Sequence, residues 1–257
     1  MAHPLSVQLY TVRDFMADRD DVLRRLADIG FRAVEPYDPA NDPAGFRKTA
    51  DDLGISVSSV HAIDLIRGED PAAVFEAVAI LGTDKAIVPA GIPEAEFTSP
   101  EGIARAAETL NGLAAKASAH GLRLGYHNHW WEFEPTFEGK HALELLAEQV
   151  DPAVFFEVDT YWSTVGGADT PAVLAGLGGR VELIHVKDGP GVIGQAHVAA
   201  GQGTMPIPAI LAAAPDAVRV IELDNCDTDM FQALADSYAY VTGLEPELIA
   251  AASEEGA

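Results

Sequence analysis

Short, mostly apolar runs alternate with amphipathic helical stretches along this chain, and that alternation leaves few architectures open. A run of roughly four to eight apolar residues bounded by turn residues reads as a buried parallel strand. Eight such runs occur: Leu5–Tyr10, Phe31–Pro36, Ile55–Val60, Lys85–Pro89, Leu122–Tyr126, Val154–Val158, Val181–Val186 and Ala217–Leu223. Helical patterns fall between them. The first has Asp20 or Asp21 near its N-cap, Val22, Leu23, Leu26 and Ile29 on one face, and Gly30 as its stop. Others cover Pro43–Leu53, Pro71–Leu81, a long stretch capped by Ser99, His141–Glu148, Pro171–Leu177, Ile207–Ala214 and Met230–Val241. The repeat is about 30 residues, and 257 residues match one eight-stranded α/β barrel. A doubly wound open sheet would carry a Gly-rich turn after its first strand, and Leu9-Tyr10-Thr11-Val12-Arg13 is not one. The expected fold is a single (β/α)8 barrel over residues 1–249, followed by a loose acidic tail over 250–257.

Four runs end in residue types that bind metal. Leu122–Tyr126 leads into His127-Asn128-His129, Val154–Val158 into Asp159, Val181–Ile184 into His185 and Ala217–Ile221 into Glu222. In a barrel, side chains at the C-terminal strand ends converge on one mouth. His127, Asp159, His185 and Glu222 there form a mixed N/O ligand set for a divalent ion. The helix after Asp159 is expected to start only near Thr170, so capping does not account for that aspartate. Lys187 shares a face with His185, and His127 with His129. Glu222 sits among apolar residues, where a carboxylate is rarely buried unless paired or metal-bound. Glu35 and His61 follow strands two and three and can hydrogen-bond a polyol. Trp131 and Glu132, in the Trp130-Trp131-Glu132-Phe133 loop, offer a flat surface beside a carboxylate, which suits a sugar ring. Gly201-Gln202-Gly203 can cradle an anion, although the pattern is short and common.

Composition excludes several classes. Forty acidic residues against 16 basic ones give a formal charge of −24, a field that repels nucleic acid and anionic membranes. Most of these acids are expected on solvated helix faces. No apolar run is long enough to span a membrane, and MAHPLSVQLYTVRD lacks the basic and apolar regions of a signal peptide. The single cysteine, Cys226, precludes an internal disulfide and fits a reducing cytoplasm; it reads as a small strand-end or core residue. Exposed faces on barrel helices allow a homodimer or homotetramer. Neither a nucleophile elbow nor a Walker-type loop occurs.

A divalent ion holding two oxygens of a sugar polarises a carbonyl and stabilises the enediolate left by loss of the adjacent proton. Glu222, His61, His129 and Lys187 are the candidates for moving protons there, and Glu35, His61, Trp131, Glu132 and Lys187 for holding the substrate. Returning the proton to the neighbouring carbon isomerises the sugar, and returning it to the opposite face epimerises it. Expelling a β-oxygen is a lyase reaction. A sugar-binding protein without catalysis is the alternative from another class.

The stretches Leu124–His129, Phe156–Trp162, Ile184–Asp188 and Ile221–Asp224, with Val7–Asp14 and Ser58–Ala62, resemble the xylose isomerase-like TIM-barrel superfamily. Within it they are similar to the sugar phosphate isomerase/epimerase group, which includes inosose isomerases and dehydratases. The resemblance covers essentially the whole chain. It implies a carbohydrate substrate and a divalent ion, Mn²⁺ first, with Zn²⁺, Mg²⁺ or Co²⁺ as alternatives. Asp159, His185 and Glu222 match the group's Asp, His and Glu ligands, whereas His127 stands where a Glu is usual.

Overall fold

The computed structural model describes residues 3–68 and 70–248, so the expected 250–257 tail lies outside the described residues. Its strands are β1 (Ser6–Gln8), β2 (Ala33–Glu35), β3 in two halves (Ser56–Val57 and Val60–His61), β4 (Lys85–Val88), β5 (Arg123–His127), β6 (Phe155–Asp159), β7 (Val181–Val186) and β8 (Val218–Ile221). All pair in parallel, each with its neighbours in sequence, and β1 also pairs with β8. The first half of β3 pairs with β2 and the second with β4. Ser58 N–H donates to Val34 O and His61 N–H to Pro36 O, so β3 stays against β2 across its break and the sheet closes. This is the eight-stranded TIM barrel, with a short hairpin (Thr136–Phe137 and Lys140–His141) outside it.

The ten helices are α1 (Arg19–Ile29), α2 (Pro43–Asp52), α3 (Asp64–Arg67), α4 (Pro71–Leu81), α5 (Pro100–Ala119), α6 (Ala142–Gln149), α7 (Thr160–Val165), α8 (Thr170–Leu177), α9 (Ile207–Ala213) and α10 (Met230–Leu244), as counted among the described residues. Many begin at an oxygen side chain that accepts the amide of the first turn: Asp42, Asp70, Ser99, Asp169 and Asp229 do so, with a proline at N1 or N2 in four of these five. Two expectations are corrected. Helix α1 is capped by Asp18, not Asp20 or Asp21, because residues 9–18 wind as a 3₁₀ segment where the strand was expected to run to Tyr10. And Asp159 does cap a helix, the six-residue α7, by accepting Trp162 N–H at 2.9 Å.

The main core lies between barrel and helices, while Ile87, Phe155, Leu183, Val218 and Val220 fill the lower barrel interior. Gly125 makes room for them: a Cβ there would stand 2.3 Å from the Phe155 ring. Above this plug, period-two alternation turns polar residues inward. Register places Gln8 beside Glu35, His127 beside Glu157, and His185 beside Asp159. Among the described residues, no helix is long and apolar enough to cross a membrane.

Candidate active site

The inward residues form two tiers. The lower one joins Glu35, His61 and Glu157, all buried. Glu157 Oε2 lies 2.5 Å from His61 Nε2, 3.0 Å from His127 Nδ1 and 3.2 Å from His185 Nε2. Glu35 accepts from Gln8 Nε2 at 2.6 Å, from Ser59 Oγ, and from His185 Nε2 at 2.9 Å. The upper tier joins His127, Asp159, His185, Glu222 and Lys187. His185 Nδ1 is 2.7 Å from Glu222 Oε2, and His127 Nε2 faces Asp159 Oδ2 across 3.7 Å. The Lys187 ammonium lies 2.8 Å from Asp159, 2.6 Å from Glu222 and 2.9 Å from Asp224.

Electrostatics follow from this crowding. Burial disfavours charge on Lys187, yet three carboxylates outweigh it and hold its pKa well above the usual value. Lys187 is thus an ammonium and no amine nucleophile. Burial also opposes charge on His185, but Glu157 and Glu222 hold it well above the normal range. His127 goes the other way, because burial and the neighbouring His185 charge push it well below, leaving a neutral imidazole. His129 is pushed down to about 3 by burial and then by Lys187. Burial raises Asp159 to about 6 even with Lys187 opposing. His61 stays raised because Glu35 and Glu157 outweigh burial.

A cavity of about 820 Å³ opens above the upper tier. His61, His127, His129, Lys187 and Glu222 reach it, as do Trp130, Trp162, Tyr10, Arg13, Tyr37 and Asp224. The sequence reading brought the first five together. Glu35 sits a tier below the cavity lining. Glu132 is buried behind His129, accepting Tyr126 Oη–H at 2.6 Å and His129 N–H at 2.9 Å. Trp131 stacks on the far side of the same imidazole, with ring centroids 4.1 Å apart, while its neighbour Trp130 lines the cavity. Gly201 and Gly203 do cradle an anion, but it is the chain's own Asp188, whose carboxylate also accepts Gly189 and Met205 N–H. Cys226 lies in the loop after β8, half-buried, with Sγ 3.0 Å from Thr228 Oγ1.

Glu157 was passed over in the sequence. Its signal is parity: two residues before Asp159 on one strand, it must share that residue's inward face. Asp224 follows Glu222 by the same rule. Tyr10, expected at the end of the first strand, reaches the cavity from the 3₁₀ segment that follows β1, and Arg13 and Tyr37 come from segments without periodicity and carry no such signal.

Two overlapping sets could hold a metal ion: His127, Asp159, His185 and Glu222, and below them His61, His127, Glu157 and His185, the donor atoms of each within 4.8 Å of one another. Imidazole nitrogens and carboxylate oxygens together suit a first-row divalent ion, and the surplus of buried carboxylates favours a cation. The residues present fit such an ion.

Comparison with solved structures returns barrels of the same design. A sugar phosphate isomerase/epimerase from Parabacteroides distasonis superposes with a TM-score of 0.79 at 22% identity, over 97% of this chain and 96% of that one. An L-ribulose 3-epimerase gives 0.69 at 17%, over 100% and 99%. A probable 3-DHS dehydratase from Bacillus anthracis gives 0.74 at 14%, over 93% and 98%. At these identities the likeness establishes the fold. A search of curated proteins returns no match. The sequence model of one family matches residues 23–217, three-quarters of the chain, and with it the barrel and its strand-end cluster find their place: this chain belongs to the xylose isomerase-like TIM barrel family.

Proposed function

We propose that the protein is a divalent-metal-dependent isomerase or epimerase of sugars or polyols, working by proton transfer next to a carbonyl. The observation that carries this reading is the convergence of His127, Asp159, His185 and Glu222 within 4.8 Å at the floor of the mouth cavity. These four residues would hold the ion, which when bound polarises the carbonyl and stabilises negative charge on the sugar oxygens. The chain supplies the rest. The Lys187 ammonium, at the cavity floor, donates hydrogen bonds to an oxygen that gains charge as the proton leaves. His129, neutral with its pKa near 3, presents an imidazole to the cavity from one side of His127, and His61, its pKa raised by Glu35 and Glu157, presents one from the other. Glu222, the carboxylate at the cavity floor, takes the proton from carbon and returns it to the neighbouring carbon, or His61 gives one to the opposite face, while the neutral His129 accepts a hydrogen bond from a sugar hydroxyl. Trp130 and Trp162, whose ring centroids lie 4.9 Å apart, wall the cavity with the flat apolar surface a sugar face packs against.

A lyase on the same scaffold is the second reading. It is favoured by the Lys187 ammonium at the cavity floor and by His61 beside it, which Glu35 and Glu157 push toward its charged form, since a departing oxygen needs a proton.

The test is metal analysis of the purified protein, then incubation with ketoses, aldoses and inososes in D₂O followed by NMR. Deuterium entering beside a carbonyl, abolished by a chelator and by Glu222→Gln, is the expected result. A product lacking one water assigns the lyase. Substrate binding without exchange on any sugar sinks both catalytic readings.

A further inference from the structure

The two donor sets share His127 and His185, and a neutral imidazole has one lone pair to give, its other nitrogen carrying a proton. Both sets therefore cannot be cages at once. His127 turns Nδ1 down to Glu157 at 3.0 Å and Nε2 up toward Asp159. His185 turns Nε2 down to Glu35 at 2.9 Å and Nδ1 up toward Glu222. Each histidine thus has one buried carboxylate behind it and one carboxylate ligand candidate in front.

The centre of the lower set is already filled. Glu157 Oε2 is the point on which the nitrogens of His61, His127 and His185 converge, at 2.5, 3.0 and 3.2 Å, so that oxygen stands where an ion would have to be. The upper set opens on the cavity through His127 and Glu222, and what stands among its carboxylates is itself a cation, the Lys187 ammonium, 2.8 Å from Asp159 and 2.6 Å from Glu222.

From this we infer that Glu157 and Glu35 are positioning residues: buried carboxylates that fix the tautomer and ring plane of His127 and His185, so that both present their upward nitrogens to one ion. The inference rests on the reading of the mouth as a metal site. It assigns the ion to the upper tier, and it gives the lower tier the task of holding the rings still and making them better donors. Ser59, Gln8 and His61 complete this tier by hydrogen-bonding or facing the two carboxylates, which keeps them from swinging up to ligate the ion themselves.

The experiment is titration of the metal-free protein with Co²⁺, following heat and the visible spectrum of the bound ion, for wild type, Glu157→Gln, Glu35→Gln and Asp159→Asn. Both glutamine variants are expected to bind one ion about 10- to 100-fold more weakly, with the ligand set, and hence the spectral type, kept. Asp159→Asn is expected to lose more and to change the spectrum. Circular dichroism of the metal-free forms separates misfolding from lost orientation, and Glu35→Gln, acting on a different histidine, serves if Glu157→Gln does not fold. Wild-type affinity in both glutamine variants overturns the inference while leaving the metal site standing. Loss of binding in Glu157→Gln with retention in Asp159→Asn overturns it in favour of the lower set. A wild type that takes up no Co²⁺ overturns the metal site itself.

Discussion

Glu132 carries no exposed surface, and its two oxygens are taken by a tyrosine hydroxyl and a backbone amide. Burial still wins over these donors and raises its pKa to about 7 from the ordinary 4.5 of a glutamate. The native state thus holds this proton more tightly than the unfolded chain does. Its contribution to stability is complete below pH 4.5 and is lost as pH rises through about 7. Chemical denaturation at a series of pH values should show that decline, and Glu132→Gln should flatten it between these limits. An unchanged slope in the variant would mean the carboxyl is ionised in the folded protein. The same residue marks what single positions in a sequence conceal. Its place in an aromatic loop beside the mouth was legible, but its depth was not, and Glu35 and Trp131 likewise reach their sites from behind or below the cavity. Alternation tells which face a residue takes; how far down the barrel it lies depends on register between strands, which only pairing sets.

At the scale of the element, strand ends were the legible part of the site, because period two and the barrel's geometry send them to one mouth. Helix α7 was not legible. Six residues are too few for a helical period, and Asp159 both caps this helix through Oδ1 and faces the site through Oδ2. Ladders are also shorter than the apolar runs that suggested them, since the runs continue into loops that pack on the core. The opposite face has its own device in Arg219, which points outward from β8 and is almost fully buried. It pairs with both Glu245 oxygens after α10, at 2.8 and 2.9 Å, and donates to the carbonyls of Leu211, Ala214 and Ala217 around the end of α9. Arg180 does the same for Ala147 in α6, and Arg32 for Ala27 in α1. A cation at a helix C-terminus satisfies orphan carbonyls and complements the helix dipole. Arg219→Met breaks the buried pair and strands these carbonyls, so a loss of about 3–5 kcal/mol in urea unfolding is expected. A loss under about 1 kcal/mol would show that solvent replaces the arginine without penalty.

At the scale of the molecule these devices polarise the barrel. Aspartates cap helix N-termini on the side of the mouth, and Arg32, Arg180 and Arg219 close helix C-termini on the other. With 40 acids to 16 bases, the net field outside is strongly anionic. Two consequences can be measured together. Self-repulsion in so anionic a protein weakens the compact state, and salt screens it within a Debye length of about 10 Å at 0.1 M. The thermal midpoint should therefore rise as NaCl goes from about 10 mM to about 0.3 M, because the exposed ion pairs that salt also weakens, such as Lys48–Asp52 and Arg24–Asp21, contribute little. Nucleic acid, whose binding requires basic groups free to displace counterions from phosphates, should not shift in a gel even at the low end of that range. A midpoint that falls with salt would mean that ion pairing outweighs net repulsion in this fold. A retarded DNA band would reveal a local basic face within the net negative charge, and would reopen nucleic acid as a substrate of the mouth.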